Sequence, residues 1–142
     1  MIEAPRVRRY ARPVPYFLTA HGPPDAYTDG PELYENALGG AATVREHWIA
    51  PARRLGLPIL ARLATEDVTV RHTDLDTLAA EVVRLSQDWT DSVPGDATTL
   101  HLIDGRRFEV PLLVDLLHRA DHLTAAIRLA RLAGGHVWMG SI

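Results

Sequence analysis

The chain has 142 residues, 46% of them hydrophobic and 23% charged, which suits one globular domain able to bury a core without staples. It has no cysteine, and all 15 basic side chains are arginine, so disulfides, thiol catalysis, cysteine-ligated zinc and lysine-based covalent chemistry are excluded. The net charge of −3 is uneven: residues 1–12 carry +3 and residues 13–142 carry −6.

Residues 1–12 form a basic arm in which Arg6, Arg8, Arg9 and Arg12 surround Tyr10. Arginine with a stacking tyrosine suits phosphate contacts. Without a second basic surface, however, nucleic acid is not the expected partner. The remainder, residues 13–142, reads as a single domain. Val14–Ala20 is an apolar and aromatic run that predicts a strand, with Pro13 and Pro15 confining its start to a sheet edge or a pre-strand position. A long connection from His21 to Pro31 follows, of a length that usually has a functional reason. Glu32, Tyr34 and Glu35 then fall on a predicted short helical turn that Gly39-Gly40 ends. Thr43 and Glu46 match a capping box opening a helix with Trp48, Ile49, Ala52 and Leu55 inward. Pro51 should kink or split that helix, and Gly56 should stop it.

Ile59–Ala64 and Val68–His72 read as two strands. Thr73 or Asp74 caps a helix whose stripe is Leu75, Leu78, Ala79, Val82, Leu85, Ser86 and Trp89, with Asp76, Glu81, Arg84 and Asp88 on the solvent side. Asp104-Gly105 between two β-patterned runs predicts a tight hairpin, because a type I′ turn needs positive φ twice. Pro111 opens a long final helix, Gly134-Gly135 closes it, and His136–Met139 forms a last strand. The resulting expectation is an α+β fold: a mixed or antiparallel sheet with helices mainly on one face. The predicted succession is a ferredoxin-like β-α-β-β-α-β core followed by the hairpin, the long helix and the last strand.

Three groups of residues carry possible chemistry. His21 and His72 sit at strand ends, with Asp74 beside the latter, and a histidine–carboxylate pair suits general-base work. Asp115, His118 and His122 share one face of the final helix at metal-ligand spacing, although the plainer reading is a solvated face; no cofactor is expected. Asp25, Tyr27, Asp29, Glu32, Tyr34 and Glu35 place carboxylates beside tyrosines, the chemistry that steers and anchors a basic protein partner.

The expected function is therefore a non-enzymatic protein-binding domain, in the manner of an antitoxin or immunity-type inhibitor. The alternative is a small hydrolase or metal-dependent enzyme using His21, His72 and nearby carboxylates. Between Ala125 and Ala133 the final helix is apolar on all sides, so a homodimer through that half is also expected. No run approaches the roughly 18 apolar residues of a membrane span, and no secretory leader is visible. A bacterial, cytoplasmic protein is the simplest expectation.

Overall fold

The computed structural model describes residues 15–141, so the basic arm lies outside the described residues. The elements run β1 (Pro15–His21), β2 (Glu32–Gly40), helix α1, helix α2, β3 (Val68–Val70), α3 (Leu75–Ser92), β4 (Thr98–Ile103), β5 (Arg106–Pro111), α4 (Leu112–Ala133) and β6 (His136–Ser141). Helix α1 is one run of Ala41–Val44, a π-helical turn Arg45–Ile49, and Ala50–Leu55. Helix α2 is Pro58–Ala61, continued by a 3₁₀ turn Arg62–Ala64. The fold is α+β. A four-stranded sheet in the order β2-β1-β6-β3 is antiparallel throughout, and β4 and β5 make a separate hairpin.

Period-two alternation decides which way the sheet faces. Leu18 and Ala20 of β1, Val68 and Val70 of β3, and Val137 and Met139 of β6 are all buried in one core. That core is filled from the other side by Trp48, Leu60, Leu78, Leu85, Trp89, Leu116 and Leu123 of the four helices. Trp48 and Trp89 meet edge to face, with centroids 5.0 Å apart, an arrangement worth roughly 0.5–1.5 kcal/mol beyond the area it buries. The opposite face of the sheet carries Thr69 and Glu35 exposed, and His21, His136 and Trp138 half-buried.

Two elements differ from the sequence expectation, and together they replace the ferredoxin-like succession. Glu32–Gly40 is a strand and not a helical turn, because it pairs with β1 from Pro15↔Gly40 to His21↔Glu32. Long-range pairing there overrides weak local preference. Ile59–Ala64 is helical and not a strand. Pro58 presets the first turn, and Glu81 supplies the partner for its amides, Oε2 accepting from Ile59 N at 3.1 Å and Oε1 from Leu60 N at 2.9 Å. Glu81, expected on the solvent side, is accordingly buried.

The capping box at Thr43 is not used either: α1 begins at Ala41 behind Gly40, with no side-chain cap. Nor does Pro51 split the helix. The wider π turn lies directly ahead of it and relieves the clash of the proline ring with the preceding turn, while the His47 carbonyl, to which Pro51 has no N–H to donate, accepts from Trp89 Nε1 at 2.6 Å. The hairpin forms as expected, with Asp104 at φ 51° and Gly105 at φ 77°. In the second half of α4, Ala126, Ile127 and Ala130 are buried within the chain itself. Part of the apolar surface of that half is thus enclosed by the chain itself, and Leu129, Leu132 and Ala133 remain exposed. Among the described residues no helix is long and apolar enough to cross a membrane.

Candidate functional site

The face of the sheet turned away from the helices and the connection after β1 enclose a cleft of about 720 Å³. One wall is acidic, with Asp29 from the connection and Glu32 and Glu35 from β2. The floor is Thr19 and His21 of β1 with His136 and Trp138 of β6, and Thr69, Arg71 and His72 form the far side. Strand pairing brings these together: His21 lies opposite Glu32 on one side and His136 on the other. The two imidazoles stack with centroids 4.9 Å apart and planes 4° from parallel.

The His21 ring is fixed at both nitrogens. Gly30 O is only an acceptor, so Nδ1 carries the proton and donates to it at 3.3 Å. Nε2 is then the acceptor for the Thr19 hydroxyl at 2.9 Å. Burial, and next the neighbouring His21, hold the His136 pKa below the ordinary histidine value, which Asp29 partly offsets.

The connection is itself a built structure. Gly22 N donates to Pro31 O at 2.9 Å and clasps its two ends. Inside the clasp Asp25 Oδ1 accepts from Tyr27 N at 2.7 Å and Thr28 N at 2.8 Å, an Asx turn. Those two amides hold the Asp25 carboxylate below its usual range.

The six residues expected to meet a partner therefore divide. Asp29, Glu32 and Glu35 share the cleft wall, and Tyr27 is 94% exposed on the connection, outside the cleft lining. Asp25 is occupied within its own turn. Tyr34 points to the opposite side of the sheet, where its hydroxyl meets His122 of α4. Of the catalytic candidates, His21 and His72 line the cleft, while Asp74 is exposed on the turn before α3 and is not part of the lining.

The face of α4 that reads as solvated is only partly so. Asp115 Oδ1 lies 3.0 Å from His101 Nε2 and 3.6 Å from Arg119 Nε, separate from His118 and His122. His122 is half-buried against β2, where Asn36 Nδ2 donates to its Nδ1 at 3.0 Å. Thr19, Arg71, His136 and Trp138 are site residues that sequence reasoning missed. For the β6 pair the signal was present, since His136 and Trp138 alternate with the apolar Val137 and Met139.

Comparison with protein-family models, curated proteins and solved structures finds no match to this chain. The functional reading rests on the chemistry of the cleft.

One consequence concerns acid. Burial, with His118 next, lowers the pKa of His122 as it does that of His136. Both rings stay neutral in the fold at a pH where an unfolded chain, with histidine near 6.5, already takes up protons. The unfolded state then binds more protons, so the stability is fully present above that value and declines as the pH falls through it. Urea unfolding midpoints should therefore drop between roughly pH 8 and 5, well above the range in which Asp25 and Asp88 titrate. A flat profile over that interval would contradict the two environments.

Proposed function

We propose that this protein is a non-enzymatic binding domain that takes a basic segment of a protein partner on the face of its sheet turned away from the helices, as an antitoxin or immunity-type inhibitor does. The observation that carries the reading is the placement of Asp29, Glu32 and Glu35 along one wall of a cleft floored by Trp138 and the stacked histidines. Carboxylates steer an arginine- or lysine-rich segment and pair with it at close range. The indole face of Trp138 offers a cation–π surface for the same groups. Tyr27, exposed on the turn between Pro24 and Asp29 of the lining, is the kind of residue that anchors interfaces. Arg71 is one opposing charge on the far side, so the cleft is net acidic without being uniformly so.

Catalysis is the weaker reading of the same cleft. His21 and His72 share it, but both ring nitrogens of His21 are engaged by Thr19 and Gly30. A general base needs a nitrogen within reach of the proton it removes. His21 would first have to release the Thr19 hydroxyl.

An oligoarginine peptide tests the binding reading directly. It should shift the NMR signals of the Trp138 indole and of the His21 and His136 rings, with an affinity that falls as salt rises. The double variant Asp29→Arg, Glu32→Arg should bind at least tenfold more weakly, about 1.4 kcal/mol, and lose most of the salt dependence while keeping the wild-type unfolding midpoint. No binding by the wild type, or equal affinity of the folded variant, rejects the proposal.

A further inference from the structure

A second cluster lies on the other side of the sheet, where α4 crosses β2. His118 and His122 occupy positions i and i+4 of that helix, and their Nε2 atoms are 3.2 Å apart. Their rings meet edge to face, with centroids 4.6 Å apart and planes at 79°. Two imidazole ligands on one tetrahedral ion, each at about 2.0–2.1 Å, are themselves about 3.4 Å apart. At a right-angled ion they are about 2.9 Å apart from the same bond lengths. The observed separation lies between the two. His118 is exposed, so the pair is open to solvent on one side.

We propose that His118 and His122 form a two-histidine site for a divalent transition ion such as Zn²⁺ or Ni²⁺. A supporting shell is already in place. The chain of bonds between these residues has one polarity. Asn36 Oδ1 accepts from Ala37 N at 2.8 Å, which turns its amide nitrogen towards His122 Nδ1 at 3.0 Å. Nδ1 is then an acceptor, and Nε2–H of His122 donates to His118 Nε2. Binding an ion at both Nε2 atoms moves the His122 proton to Nδ1. There Nδ1–H donates to the Tyr34 hydroxyl oxygen, and Asn36 Nδ2 has the same oxygen 3.4 Å away as its alternative acceptor. No proton is lost in this exchange: one imidazole changes tautomer, and the ion replaces the hydrogen between the rings. Histidine ligands are generally oriented in this way through their second nitrogen.

Asp115 is not a third ligand, because His101 and Arg119 hold it. No group of three or more such donors gathers among the described residues. The remaining coordination positions fall to water or to an exogenous ligand. The other histidine pair is unsuited to the same role. His21 and His136 stack face to face, so their in-plane lone pairs run side by side and do not converge on one point.

Titration with Zn²⁺ alone, followed by the ring-nitrogen NMR signals of all seven histidines, tests this. The His118 and His122 signals should move together while those of His21, His72 and His136 stay in place. His118→Ala, a change at an exposed position, should leave the protein folded and weaken Zn²⁺ at least tenfold. The rise in unfolding temperature that the ion gives the wild type should vanish with it. Equal Zn²⁺ affinity in the folded variant, or movement confined to the cleft histidines, overturns the site.

Discussion

Replacing Glu81 by alanine should destabilise the protein by about 3 kcal/mol, a large share of the 5–15 kcal/mol that holds a domain of this kind together. Only 4% of Glu81 is exposed, and its two oxygens accept from Ile59 N and Leu60 N at 3.1 and 2.9 Å. These are amides that the first turn of α2 leaves without partners. Pro58 has no N–H of its own, so the carboxylate of α3 meets the donors that follow it, and its charge also suits the positive end of the helix. Alanine removes the acceptor without removing the donors, which are left buried and unpaired. The cost is then their desolvation and not merely the net worth of two bonds. Leu60 and Leu63, both in the core, are held in place by the helix that would loosen. Glu81→Gln keeps the shape but turns an amide NH₂ towards one of the two backbone donors, so about 2 kcal/mol should be lost. Urea unfolding reads both values as shifts of midpoint at unchanged slope. A loss below about 1 kcal/mol for Glu81→Ala would show that the carboxylate is not the cap it is taken to be.

The same residue marks where the sequence could be read and where it could not. α3 was legible because Leu75, Leu78, Val82, Leu85 and Trp89 repeat at helical spacing, a pattern that needs no knowledge of the neighbours. The hairpin was legible because Asp104-Gly105 states its own turn geometry. Ile59–Ala64 was not, since a short apolar run fits a buried strand and a buried helix equally. Its state depends on Glu81, a residue more than twenty positions away whose own pattern places it on the wet side of α3. β2 fails in a related way. Glu32, Glu35, Asn36, Gly39 and Gly40 have low strand preference, and only the pairing with β1 makes them extended. That pairing also decided the site. It put Glu32 and Glu35 on the cleft wall and turned Tyr34, their near neighbour, to the far side of the sheet. The acidic and aromatic character of the connection was visible in the letters, but its division between two faces was not.

Gly135→Ala should be strongly damaging, costing about 3 kcal/mol, while Gly134→Ala next to it should cost only about 1 kcal/mol. The two glycines end the same helix for different reasons. Gly134 has φ 71°, and a side chain there would find only Pro23, 4.0 Å away; its cost is the conformation alone. Gly135 donates to Ala130 O at 2.8 Å, the bond that closes the wider loop of a Schellman ending. A Cβ on it would lie 1.8 Å from His21 O, 2.7 Å from His21 C and 2.8 Å from Gly22 C. Those are backbone atoms of β1 at the point where the strand enters the connection, so no rotamer change relieves the contact. The chain would have to move β1 away from β6 at the His21↔His136 pair, or draw the end of α4 out of its cap. Either movement reaches the cleft floor, because the stacked imidazoles sit on that pair. Gly135→Ala should therefore also disturb the His21 and His136 ring signals, whereas Gly134→Ala should leave them where they are. Equal unfolding midpoints for the two variants would mean that β1 and the α4–β6 corner do not approach as closely as the fold of the site requires.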